Sequence, residues 1–135
     1  MTISTDRFDH GLAWEAEGLG YTQAFRVGNE IYVSGQLAHD EQGRLIGEGD
    51  FAAQAKATFA NLDKVLEGLG ATRNQVAETT VLVVGLRDKV SAVFDAHRGY
   101  FGSHRPASTM SGVVELALPG QLFEVAVKVR LDLPA

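Results

Sequence analysis

Glu124, with the serines and threonines that precede it, supplies the residue types that could do chemistry in this chain. Glu124 enters the strand-like run FEVAVKVRL just after a corner at Pro119 and Gly120, and Ser108 and Thr109 open an earlier run of the same kind. A carboxylate entering a strand just after a turn, beside hydroxyls at a strand start, is where a small polar site could form, and composition and spacing say little more about its chemistry. The plainer reading of Glu124 is a solvated strand-end carboxylate or a partner of Lys128, since alternation puts the two on one face. His97 interrupts an apolar stripe at helical spacing, which reads first as a satisfied core or interface histidine and only second as a site residue. His10, His39 and His104 are not spaced like a metal-binding set, and no metal is expected. Despite fifteen glycines there is no phosphate-cradling or dinucleotide-binding loop, and no cofactor is expected. The SGQ and STMSG serines lack a nucleophile elbow, so structural use is the reading for them.

Composition narrows the classes further. A chain of 135 residues suits one domain over 1–135, large enough for a single core. With no cysteine, disulfides, thiol nucleophiles and Cys-based zinc sites are excluded, and a cytoplasmic location is compatible. The N-terminus lacks a basic start and an apolar h-region, and no run is long enough to span a membrane. A formal net charge of −5, with twelve scattered Lys and Arg, argues against sequence-independent nucleic-acid binding.

Several elements must position these residues. Residues 1–20 read as an irregular or weakly paired lead-in, with Trp14 as a packing residue. Tyr21–Val27 and Glu30–Gln36 read as a hairpin about Gly28 and Asn29, both tolerant of positive φ. Within the second run Ser34 shares a face with Tyr32 and Gln36. Gly35 either marks a bulge or bend, or lets backbone approach a ligand closely. Asp50 reads as the N-cap of a helix whose stripe is Phe51, Ala55, Phe59, Leu62, Leu66 and Leu69, ended near Gly70. Gln75–Leu86 is apolar on both faces and reads as a central strand. A second helix opens at Asp88, with Val90, Val93, Phe94, His97 and Phe101 as its stripe and Gly102 as its end. The order β-β-α-β-α-β-β predicts an α+β domain with two helices on one face of a single sheet. Leu82, Val84, Met110 and Val114 are then left on the other face, which predicts an obligate oligomer with sheets facing inward.

IYVSGQ at 31–36, NLDKVLEGLG at 61–70, VAETTVLVVGLRD at 76–88, RPAS at 105–108 and LALPGQLFEV at 116–125 together resemble the Rid/YjgF family of reactive intermediate deaminases. An older label for the family is L-PSP endoribonuclease. The resemblance runs from about Tyr21 to Leu131. It implies a chorismate-mutase-like subunit with a mixed sheet, a barrel-forming homotrimer, and a small-molecule cleft at each subunit interface. It further implies hydrolysis of enamines or imines with release of ammonia, Glu124 guiding water, and Tyr21, Ser34 and Gly35 lining the cleft. The family's carboxylate anchor is the arginine of a Pro-Ala-Arg sequence, and here that position is Ser108. A serine offers one hydrogen bond without the charge or bidentate fork of a guanidinium. Ordinary 2-imino-acid deamination is therefore not the expectation. Many members also carry an Asn and a Tyr on the second helix where this chain has Phe94 and His97, which puts His97 among the candidate ligand-binding residues. The expectation is a metal-independent hydrolase of small enamines or imines. A non-catalytic metabolite-binding module is the alternative, and an endoribonuclease ranks third.

Overall fold

The computed structural model describes residues 2–9 and 14–135. Its one sheet has six strands in the order β1-β2-β3-β6-β4-β5: β1 (Thr5–Phe8), β2 (Ala24–Val27), β3 (Glu30–Gln36), β4 (Val76–Val84), β5 (Ala107–Val113) and β6 (Phe123–Arg130). A short helix α1 (Ala16–Leu19) precedes β2, and α2 (Phe51–Gly68) and α3 (Val90–Phe101) follow β3 and β4. All pairings are antiparallel except β4 with β5, so the sheet is mixed; among the described residues it does not close.

The lead-in is more ordered than its composition suggests, because β1 pairs with β2 from Thr5 opposite Val27 to Phe8 opposite Ala24. Thr5–Phe8 is too short and polar to announce a strand, and an existing edge supplies the missing hydrogen-bond partners. The β2–β3 hairpin turns as expected, although Gly28 alone takes positive φ, at +59°. The Asp50 carboxylate accepts from the Ala53 amide at 3.1 Å, one of the orphan donors of the α2 first turn. The last strand in sequence, β6, lies between β3 and β4, which is why its alternation is so regular.

Alternation divides the sheet into two faces. Ile31, Val33, Val81, Val83, Phe123, Val125, Val127 and Val129 are buried toward the helices, against Ala55, Phe59, Leu62, Val65 and Leu66 of α2 and Val93, Tyr100 and Phe101 of α3. Phe59 stacks on Tyr100 at 4.3 Å between ring centroids. The opposite face carries Tyr32, Glu78, Thr80, Leu82, Val84, Glu124, Ala126, Lys128 and Arg130, with no helix over it among the described residues. Two expectations need correcting. Met110 pairs with Val81 in the parallel register and turns to the helix side, where it packs against the core; Val114 lies just beyond β5 and is almost fully exposed. Phe94 points away from the α3 stripe and is 54% exposed. Val93, His97 and Phe101 keep the inward positions at spacings of four.

Candidate functional site

Strand β6 carries Glu124 on the open face, opposite Leu82 of β4. On its other side β3 is irregular: Val33 pairs with Val127, yet the next pair is Gln36 with Val125. Two residues, Ser34 and Gly35, therefore oppose the single Ala126, which is a β-bulge. The Glu124 side chain lies across it. A Cβ added to Gly35 would sit 2.5 Å from Glu124 Cδ and Oε2, so only glycine leaves room for the carboxylate there. Gly35 thus belongs to a bulge, and it is the Glu124 side chain that approaches its backbone closely.

Glu124 is half-buried, and this burial raises its pKa above the ordinary carboxylate range by penalising the charged form. Lys128 does not relieve it. That ammonium lies 3.5 Å from Glu78 Oε1 and above the Tyr32 ring. Among the described residues the Glu124 carboxylate has neither a paired cation nor a hydrogen-bond donor. A partly desolvated carboxyl of this kind can take a proton from water and return it to a leaving group.

Ser34 supports the bulge from beneath. Its hydroxyl donates to the Thr22 carbonyl at 2.6 Å and its amide donates to the Gln23 carbonyl at 2.8 Å. This ties the segment containing Tyr21 to the bulge. Tyr21 itself is partly exposed, and its hydroxyl accepts a hydrogen bond from Trp14 Nε1, while the Trp14 ring packs on His39 at 4.9 Å between centroids.

Ser108 and His97 lie on the other side of the sheet. Ser108 is in register with Thr79 of β4, and its hydroxyl meets Thr79 Oγ1 at 2.7 Å; the same Thr79 oxygen is 2.9 Å from His97 Nε2. Thr79 faces the helices and Leu82, three residues on, faces away, so one chain does not bring Ser108 and Glu124 to one point. His10 lies outside the described residues. Among those described, no three His, Asp or Glu side chains are grouped as metal ligands, and no helix is long and apolar enough to cross a membrane.

Sequence reasoning missed the buried amides that hold the loops around the bulge. Gln54 Nε2 donates to the Gly47 and Gly120 carbonyls, both at 3.0 Å, while its Oε1 accepts from the Leu122 amide at 2.8 Å. Gln121 pairs with both the amide and the carbonyl of Ala38. Together they fix where β6 begins and so where Glu124 projects. The available signal was Gln54 itself, an amide between Phe51 and Phe59 on a buried helix face, which must have partners there. A groove of about 690 Å³ between α2 and α3 is a separate feature, lined in part by Ala55, Phe59, Asp63 and Tyr100. Its Asp63 is already bonded to the Tyr100 hydroxyl and to Arg73.

Two helices on one face of a six-stranded mixed sheet, with a carboxylate laid over a bulged glycine on the other, define an α+β domain of the YjgF fold. The sequence matches the family described as Endoribonuclease L-PSP over residues 14–131. The chain belongs to this family, the Rid/YjgF family. A 2-iminobutanoate/2-iminopropanoate deaminase of Capra hircus is 33% identical over 110 residues, 82% of this chain and 80% of that one. A RutC family protein of Pyrococcus abyssi is 37% identical over 87 residues, 64% of this chain and 68% of that one. Among solved structures, a member of the conserved Rid protein family from Yersinia pestis superposes with a TM-score of 0.84 at 27% identity, covering 94% of this chain and 99% of that one. A YjgF/YER057c/UK114 family member from Mycobacterium tuberculosis gives 0.79 at 27% identity, covering 94% and 99%.

Proposed function

We propose that the chain hydrolyses small enamines or imines, with Glu124 handling water, at clefts formed between the copies of a homotrimer. The observation that carries this reading is the half-buried Glu124 carboxylate, without a partner among the described residues, lying across Gly35. Relatives named 2-iminobutanoate/2-iminopropanoate deaminases support the reaction class. In the reaction water adds to the C=N carbon as Glu124 takes its proton. The nitrogen is protonated and departs as ammonia when the carbonyl forms.

The trimer follows from what the open face lacks. Leu82, Val84 and Ala126 are only partly covered in one chain and Tyr32 is 42% exposed. Facing sheets inward would bury them, at roughly 25 cal/mol per Å² of apolar surface. Edge strand β5 would then bring Ser108 to a neighbour's cleft, which accounts for the separation of Ser108 from Glu124 within one subunit. Tyr21, Ser34 and Gly35 line that cleft from the Glu124 side, and Ser108 and His97 approach from the other. With a serine at the family's arginine position, the preferred substrate is an enamine or imine that needs no cationic anchor for a carboxylate.

One observation favours a second reading, a metabolite-binding module without turnover: the Ser108 hydroxyl is already engaged by Thr79. Ribonuclease action ranks below both, given a net charge of −5. Ammonia release from freshly generated 2-imino acids and neutral enamines separates the readings. The enzyme reading expects wild-type turnover on the neutral compounds and its loss in Glu124→Gln. Saturable binding without ammonia release, together with activity gained by Ser108→Arg, would replace it with the binding module.

A further inference from the structure

The chain Ser108–Thr79–His97 has its own chemical logic. Thr79 is fully buried, and its hydroxyl bridges an exposed serine on β5 to a histidine on α3. A threonine hydroxyl has one proton and two lone pairs: Thr79 Oγ1 donates to Ser108 Oγ here, and rotation of the two hydroxyls reverses the line, so that Thr79 accepts from Ser108 and donates to His97 Nε2. His97 is set up to receive. Its ring packs against Phe59 of α2 and Phe101 of its own helix, and burial lowers its pKa below the usual imidazole value, favouring the neutral form at pH 7. His104 contacts the same Phe101 ring, and among the described residues no carboxylate or cation touches His97. At the outer end Ser108 is solvent-exposed on the last strand of the sheet, whose outer edge has no strand partner among the described residues. A hydroxyl that needed only solvation would need no such line behind it.

We propose that Ser108 is an activated nucleophile whose proton is relayed through Thr79 to His97, giving the protein an acyl-transfer activity on small activated esters, independent of Glu124. Ser108 Oγ bonds to the acyl carbon while its proton passes to Thr79 Oγ1 and the Thr79 proton passes to His97 Nε2. The ester C–O bond then breaks, and the leaving alcohol takes the proton back along the same line, so that acyl-Ser108 remains. Water next attacks the acyl carbon, giving up its proton by the same route, and releases the carboxylic acid and free Ser108.

The test uses the full chain with p-nitrophenyl acetate as the probe. Peptide mass spectrometry locates the acetyl adduct, and p-nitrophenol release gives the rate. The expected result is an adduct at Ser108, absent in Ser108→Ala. Its rate falls at least about a hundredfold in Thr79→Val and His97→Gln, the lower part of what a positioned general base supplies. Thr79→Ser, which keeps the relaying hydroxyl, retains the reaction, and so does Ser103→Ala, a control on an exposed loop serine. The wild-type rate rises with pH through an acid limb below the ordinary imidazole value, and His97→Gln removes that limb. The proposal is overturned if Ser108 carries no adduct, if adducts scatter equally over Ser103 and surface lysines, or if Thr79→Val and His97→Gln react at the wild-type rate. Should Thr79→Val fail to fold, Thr79→Ser and His97→Gln decide the matter. None of these outcomes depends on whether ammonia is released from imines.

Discussion

The two faces of the sheet are built from alternate residues of the same strands, yet they meet opposite physical demands. Toward the helices, Phe123, Val125, Val127 and Val129 lose nearly all contact with water, and the polar Thr79 is admitted only because two partners satisfy its hydroxyl. On the open face Glu124, Lys128 and Arg130 come from those same stretches, with no second layer above them among the described residues. The first face holds the fold together, and it can do so whatever the second carries. The second face can therefore keep a carboxylate at a raised pKa over a glycine, a placement that costs stability and that the proposed hydrolysis would use.

Adjacent residues give the sharpest way to break this contrast. Phe123→Ala removes a fully buried ring in contact with Phe51 and Phe59 and is expected to cost about 3–5 kcal/mol, read by chemical denaturation. Glu124→Ala, one residue on, is expected to change stability by less than about 1 kcal/mol. Comparable losses at both positions would mean that the open face is as structural as the covered one.

Gly35→Ala tests the close approach itself. The new methyl meets the flexible end of Glu124 rather than backbone, so the carboxylate shifts and the fold persists. Turnover on a neutral enamine should fall about a hundredfold, as for a misplacement near 1 Å, with an unchanged denaturation midpoint.

Acid–base linkage should separate the faces more finely. The Glu124 pKa is raised in the folded state, so folding favours its protonated form, and stability declines as pH climbs from the ordinary carboxylate value through the raised one. Glu124→Gln should therefore raise the melting temperature at neutral pH and leave it unchanged near pH 4. His97 has the opposite sign: its folded pKa is depressed, so stability is lost as pH falls below the ordinary imidazole value. His97→Gln should flatten that part of the profile. The smallest effect belongs to Thr58, whose buried hydroxyl is without a hydrogen-bond partner among the described residues. Thr58→Val should be neutral or stabilising by up to about 1 kcal/mol in thermal melts.

What the sequence showed follows the same division. The α2 stripe with its Asp50 cap, the hairpin at Gly28 and the alternation of β6 are local patterns, and local patterns survive folding when one face is buried. Strand β1 was not legible, because a four-residue polar segment becomes a strand only beside an edge that some other part of the chain supplies. Met110 was assigned to the wrong face because a one-residue choice of register decides sidedness, and the parallel pairing with β4 fixes it. For the site, Glu124 and Gly35 could each be singled out, but their contact depends on a bulge between strands almost ninety positions apart in sequence. The Ser108–Thr79–His97 line escaped entirely, since Thr79 reads as one more β-branched residue in TTVLVV and only tertiary packing gives it two polar neighbours.

The proposed hydrolysis rests on the carboxylate over Gly35 performing the chemistry of the open face. The most direct test is the pH–rate profile of ammonia release from a freshly generated neutral enamine, corrected for spontaneous hydrolysis, for wild type and Glu124→Gln at equal concentration. The account predicts a wild-type acid limb above the ordinary glutamate range, and in Glu124→Gln a rate lower by about a hundredfold or more with that limb gone. A Glu124→Gln protein that releases ammonia at the wild-type rate with the same profile would contradict it.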